Sequence, residues 1–304
     1  MKKSLHPLVI GVLVVFGFVH SSFASDTGSK AAFHPEMNVH LVKFDKVRFD
    51  SLATKGFFAR KPEVIDGYLL KSNLEGKSPA VIVRPPCHGM LLPKLGVVRV
   101  YDQELAKKLH KAGFTVLLVD GFTPRGKANI CQTPAKQREI TRDIRIKDTI
   151  GALKYLESRD DIDASRIFLV TFGANGGFDL LNRNTRFAKA AHYGFAGAAM
   201  FYPECAAASR PFSGYAPIDV FVGDKDAWNP PAFCKALVKQ RTADSAPFIL
   251  KIYPNTYHAF ANKFPPRFSQ GPPSVGRVMT GNNPKSVADA YRSTVELFAS
   301  IGKE

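Results

Sequence analysis

Past its first two dozen residues the chain has no apolar stretch long enough to cross a bilayer, because Gly, Pro or charge interrupts every later hydrophobic segment. The expectation is a mature protein that is not an integral membrane protein. Its four cysteines, Cys87, Cys131, Cys205 and Cys234, form no CxxC pair, so a zinc knuckle or a thioredoxin-like redox site has no support, and neither a metal nor a cofactor is expected. Lys and Arg are scattered rather than run together, and no basic–aromatic interleaving of the RNA-binding kind occurs, which argues against a nucleic-acid partner. There is no internal repeat and no low-complexity segment.

What is present begins with an export address. Lys2 and Lys3 precede an apolar run from Leu8 to Val19, and Ser22-Phe23-Ala24 supplies small residues at both cleavage-determining positions. Residues 1–24 read as a signal peptide cleaved near Ala24, leaving a periplasmic or secreted protein, with 25–304 as one domain. An even cysteine count in an oxidising compartment makes disulfides the default. At 45% hydrophobic residues the chain can bury a substantial core. The net charge of +16 implies attraction to anionic surfaces such as envelope polymers and otherwise a solvated surface.

Apolar periodicity predicts an α/β fold. Val39 to Phe49 and Val64 to Lys71 alternate like half-buried antiparallel strands, whereas Ala80–Val83, Thr115–Val119 and Ile167–Val170 are compact runs suited to buried parallel strands. Between them, Leu105 and Leu109 stack one helical turn apart, and Ile146, Ile150, Leu153 and Leu156 make a stripe on a charged helix. Further strands at Ala198–Tyr202, Ile218–Val222 and Phe248–Tyr253 continue the βαβ alternation. A closing helix from Pro284 through Ile301 carries Val287, Tyr291, Val295 and Phe298 on one face. The Pro/Gly clusters at 264–276 read as a loop.

Three places could carry chemistry. The strand Arg166–Val170 runs into the glycine turn Phe172-Gly173-Ala174-Asn175-Gly176-Gly177 and then a helix through Leu180 and Leu181, the geometry of a nucleophile elbow. Asp226, with Asp224 as the fallback, follows a buried strand in Val222-Gly223-Asp224-Lys225-Asp226-Ala227-Trp228. His258 follows the next strand in Tyr253-Pro254-Asn255-Thr256-Tyr257-His258-Ala259-Phe260. Either residue alone is an ordinary loop residue; together they keep the order in which a nucleophile, an acid and a histidine occur in such a fold.

These segments, with Val81-Ile82-Val83-Arg84-Pro85-Pro86-Cys87-His88-Gly89, Val119-Asp120-Gly121-Phe122-Thr123-Pro124-Arg125-Gly126 and Phe201-Tyr202-Pro203-Glu204-Cys205, make the chain resemble the exported branch of the dienelactone hydrolase family along nearly its whole mature length. The resemblance implies an α/β-hydrolase fold, a mostly parallel central sheet with helices on both faces. It also implies an ester or lactone hydrolase in which a Cys or Ser attacks the carbonyl, His moves the proton, Asp orients the ring and backbone N–H groups hold the oxyanion.

The departure lies at the elbow. Aligning the family's glycine pair on Gly176-Gly177 puts Ala174 at the nucleophile, the favoured register. Counting from Arg166 puts Gly173 there, and GxSxG spacing puts Asn175 there. Hydrogen, methyl and a neutral amide all fail as nucleophiles. In the oxyanion loop Pro85-Pro86 stands where the family has His-Gly; proline donates no N–H, although Cys87 and His88 still do, and with Asn175 they are the candidate oxyanion and ligand residues.

The family picture pairs Cys87 with Cys131 and Cys205 with Cys234, each bridge stabilising by roughly 3–4 kcal/mol. Cys87 could replace the nucleophile only if unpaired and facing His258. The resulting expectation is a protein binding a small ester, lactone or carbonyl compound with covalent hydrolysis lost or impaired. One alternative is an active hydrolase using water activated by His258 and Asp226; the other is a non-enzymatic envelope-binding protein. Substrate choice would lie in loops such as 123–137 and 206–216.

Overall fold

The computed structural model describes residues 42–52, 62–92, 95–173, 176–271 and 275–302. The proposed signal peptide and residues 39–41 of the first expected strand lie outside them. Eight strands form one sheet: β1 (Asp45–Asp50), β2 (Val64–Leu70), β3 (Ser78–Arg84), β4 (Thr115–Asp120), β5 (Ile162–Phe172), β6 (Gly197–Phe201), β7 (Ile218–Gly223) and β8 (Phe248–Tyr253). Their order is β1-β2-β4-β3-β5-β6-β7-β8. The β1–β2 and β2–β4 pairs are antiparallel, and every pair from β4 onward is parallel.

The continuous apolar runs predict the centre correctly because those strands are covered on both faces. All seven residues of β3 and all six of β4 are buried. On one face α2 (Arg142–Glu157) lays Ile146, Ile150, Leu153 and Leu156 against Ile82, Leu117 and Leu169. On the other, α1 (Val100–Lys111) and α6 (Pro284–Ser300) bury Leu105, Leu109, Tyr291 and Phe298 with Val83, Val116 and Phe168. Phe168 and Phe298 stack at 4.5 Å between ring centroids, coupling the central strand to the closing helix. This is the α/β-hydrolase arrangement, with strand ends and their loops gathered at one edge of the sheet.

Three short helices complete the fold: α3 (Gly177–Leu181), α4 (Arg186–Ala190) and α5 (Pro231–Lys239). The segment 264–276 departs from the expected loop. Two strands, β9 (Arg267–Gln270) and β10 (Arg277–Thr280), pair antiparallel as a separate ribbon. The prolines and glycines lie outside the paired residues, and the alternation that holds the ribbon, buried Val278 and Thr280 against outward Arg277 and Met279, is too short to stand out among them.

Candidate active site

The acid and the histidine are brought together by two loops at the carboxyl edge of the sheet. After β7 the chain turns through Asp224-Lys225-Asp226, and after β8 through Pro254 to His258. The loops are stitched by Asp224 N–H donating to Tyr253 O (3.0 Å), Lys225 N–H donating to Thr256 O (3.0 Å) and Thr256 N–H donating to Asp224 Oδ1 (3.1 Å). Gly223 is required by this approach, since a Cβ there would fall 2.0 Å from the carbonyl oxygen of Thr256. Asp224, the fallback acid, is therefore engaged in holding the two loops together.

Asp226 takes the other position. Its Oδ2 lies 2.8 Å from His258 Nδ1, while its Oδ1 accepts the backbone N–H of Trp228 (3.0 Å) and of Asn229 (2.7 Å). A carboxylate that is 2% exposed is thus held by three donors, as burial of a charge demands. With the carboxylate as acceptor, the proton of the neutral imidazole sits on Nδ1 and Nε2 keeps its lone pair. The ring is 7% exposed. Trp228 stacks on it at 4.9 Å with an interplanar angle of 17°, and Tyr202 meets it edge-on at 4.9 Å. The backbone carbonyl of His258 accepts the N–H of Gly281, fixing the far side of the loop.

Tyr202 and Trp228 stand in the sequence motifs without an assigned role, and Asn229 lies one residue beyond them. Tyr202 leaves β6 with φ 42°, donates its N–H to Phe221 O (2.7 Å), and accepts the side-chain amide of Asn229 on its carbonyl (2.7 Å). The β6 end is thereby tied to the acid loop. The signal was Trp228 itself, the single tryptophan, two residues past the acid.

At the elbow, β5 ends at Phe172 and Gly173 enters the left-handed region at φ 71°, its N–H donated to Phe201 O (2.9 Å). A Cβ built on Gly173 meets no atom of the described residues beyond its chain neighbours within 4 Å, whereas one on Gly176, which caps α3 at φ 67°, would strike Ile146 at 2.6 Å. Ala174 and Asn175 lie outside the described residues.

The loop after β3 carries Cys87 and His88. Cys87 is bonded to Cys131 and Cys205 to Cys234, and no described cysteine is free. Cys87 therefore offers no thiol. Arg99 pins the loop, donating to the carbonyls of Gly89 (3.2 Å) and His88 (3.0 Å). Burial, together with the Arg99 charge, pushes His88 down to about 4, so its imidazole is neutral near pH 7.

Beneath this edge lies a group of charges that no sequence pattern announced. Arg84 at the end of β3 is 2% exposed, and burial pushes it down to about 9. Arg145 donates to Pro85 O, Arg142 pairs with Asp179 (2.5 Å), and Arg125 forks onto both oxygens of Asp148 (2.7 and 2.9 Å). The described residues include no cluster of His, Cys, Asp or Glu able to hold a metal and no helix long and apolar enough to cross a membrane.

The model of the dienelactone hydrolase family matches residues 65–302. Over 207 residues the chain is 30% identical to the "Probable 2-oxo-3-(5-oxofuran-2-ylidene)propanoate lactonase" of a Bradyrhizobium species, covering 65% of this chain and 79% of that protein. Among solved structures it is similar to dienelactone hydrolase from Anabaena variabilis (TM-score 0.56, 14% identity, 86% of this chain and 99% of that one). It is also similar to Thermogutta terrifontis esterase 2 phosphorylated by paraoxon (TM-score 0.55, 12% identity, 86% and 95%). At such identities the two structures speak for the fold alone.

Proposed function

Since the chain belongs to the dienelactone hydrolase family, we propose that it recognises a small ester, lactone or related carbonyl compound at the Asp226–His258 edge, and that the covalent acyl-enzyme route expected from the family resemblance is lost. The observation that carries this reading is an assembled acid–histidine pair beside an elbow, Gly173-Ala174-Asn175, that holds no hydroxyl or thiol. The disulfide at Cys87 supports it by removing the thiol of the oxyanion loop. The Gly173 register is supported by a left-handed residue directly after the strand, with no described atom beyond its chain neighbours within 4 Å of its Cβ position. Pro85 and Pro86 reduce the donors of the oxyanion loop, leaving the N–H groups of Cys87 and His88.

A second reading rests on the orientation of the imidazole. With Nδ1 bonded to Asp226, Nε2 is an acceptor able to take a proton from water, so hydrolysis without a covalent intermediate is available to the same pair. Turnover of a panel of activated esters and lactones separates the two. The binding reading gives no hydrolysis beyond that of His258→Ala, the water reading gives slow hydrolysis that His258→Ala abolishes, and a burst of acylated protein contradicts both.

The same reading places the protein outside the cytoplasm, periplasmic or secreted after cleavage near Ala24, which the two disulfides support. N-terminal sequencing of exported protein beginning at Ser25 is the expected result; an uncleaved chain recovered from the cytoplasm contradicts it.

A further inference from the structure

The β9–β10 ribbon is outside the eight-stranded sheet and outside the proposed chemistry. Val278 and Thr280 are buried on one face, at whose edge Arg267, opposite Thr280, stays exposed, and the other face carries Phe268, Gln270, Arg277 and Met279. Phe268 is 63% exposed and Phe264, just before β9, is 49% exposed. A phenyl ring has no polar tip to justify such exposure, and two so close in sequence form a feature rather than scattered surface apolarity.

Each ring is covered by a guanidinium: Arg267 lies 4.2 Å from the centroid of Phe264, and Arg277 lies 5.4 Å from that of Phe268. Neither arginine takes part in any of the described ion pairs, whereas Lys263 is matched by Glu104 at 2.6 Å. The surrounding sequence is one-sided as well. Between Asp244 and Asp289 there is no Asp or Glu, and Lys251, Lys263, Arg267, Arg277 and Lys285 fall in that interval.

We propose that the β9–β10 ribbon, with Phe264, Phe268, Arg267 and Arg277, docks this protein on a membrane surface rich in anionic phospholipid. The guanidinium groups move from the rings to lipid phosphates, and the uncovered phenyl rings enter the boundary between headgroups and acyl chains. Phosphate offers Arg the planar, forked hydrogen bonding it is built for, and the interface gives the rings an apolar environment that a soluble polyanion lacks. The ribbon is also rooted at the site: Thr280 bridges His258, and Gly281 N–H donates to His258 O at 3.0 Å. Docking therefore brings the lipid surface to one face of the ribbon whose opposite, buried face holds the His258 bridge. The inference does not depend on whether the site hydrolyses its ligand.

The test is sedimentation of purified protein with vesicles of phosphatidylglycerol and phosphatidylcholine, or of phosphatidylcholine alone. The expected result is binding to the anionic vesicles only, weakened about ten-fold by Phe264→Ser/Phe268→Ser and by Arg267→Gln/Arg277→Gln, with thermal midpoints unchanged. A control pair on α5, Lys235→Ser/Lys239→Ser, leaves binding intact. Equal binding to both vesicle types, or binding untouched by both ribbon variants, overturns the proposal. Two further results reassign the face and overturn it equally. One is a dimer in sedimentation velocity that the phenylalanine variant abolishes; the other is tighter binding to soluble dextran sulfate than to vesicles, sensitive to the arginine variant alone.

Discussion

Trp228 and His258 lie ring on ring, 4.9 Å apart and 17° from parallel, while the backbone N–H of the same tryptophan donates to Asp226, the partner of that histidine. One residue thus constrains both members of the pair, the acid through its main chain and the base through its side chain. Trp228→Ala keeps the first constraint and removes the second. The variant is expected to lose about 1 kcal/mol of stability from the stacked pair, measured by urea denaturation. Modification of His258 by diethyl pyrocarbonate, mapped by mass spectrometry, should become several-fold faster.

Asp226 accepts three hydrogen bonds in a nearly dry environment, so Asp226→Asn puts an amide where only acceptors fit. A loss of about 2–3 kcal/mol is expected, read from denaturant midpoints. Asp224→Asn, which keeps an oxygen for Thr256 N–H, should cost under about 1 kcal/mol. Equal costs would mean that the two aspartates have been given the wrong roles.

Much of this arrangement was legible in the sequence. The buried parallel strands announced themselves as unbroken apolar runs, and the Asp226–His258 pair followed from its place after two successive strands. The ribbon was not legible, because four-residue strands bounded by Pro and Gly carry no periodicity to distinguish them from a loop. Arg84 and Arg145 were not legible either. Arg84, at the end of an apolar run, looks like the point where the chain meets water, Arg145 looks like one more charge of the solvated side of α2, and only tertiary packing buries them.

Two buried groups give stability opposite slopes with pH. The imidazole of His88, near 6.5 in the unfolded chain, is pushed down to about 4 by burial and then by Arg99. The unfolded state therefore binds the extra proton, and stability present above about pH 6.5 is lost as pH falls toward about 4. His88→Asn should flatten that acid limb in melting curves taken across pH.

Asp219 on β7 behaves in the reverse sense. Burial pushes its carboxyl up to about 6 despite the pull of Lys251, so the folded state holds the proton more tightly and stability falls as pH rises from about 4 to about 6. Asp219→Asn should therefore stabilise the protein at pH 7, on the order of 1–3 kcal/mol, and leave it unchanged at pH 3.5. A variant less stable than the parent at pH 7 would contradict this.

The disulfides close loops of 44 and 29 residues. Loop-closure entropy assigns them about 4 and about 3.6 kcal/mol. Cys205→Ala/Cys234→Ala should lower unfolding free energy by about that amount in equilibrium denaturation.

The elbow lacks a hydroxyl or thiol, and restoring one tests what that absence costs. Gly173→Ser meets no atom of the described residues beyond its chain neighbours within 4 Å of the Cβ position, and carries a backbone strain of about 1–2 kcal/mol. Ala174→Ser tests the register favoured from sequence.

The most direct measurement is intact-mass analysis after incubation with a fluorophosphonate, with parent, Gly173→Ser, Ala174→Ser and each serine variant combined with His258→Ala treated side by side. No adduct is expected on the parent, and an adduct is expected on one serine variant that disappears when His258 is removed. A covalent adduct on the parent protein, mapped to any side chain and abolished by His258→Ala, would contradict it.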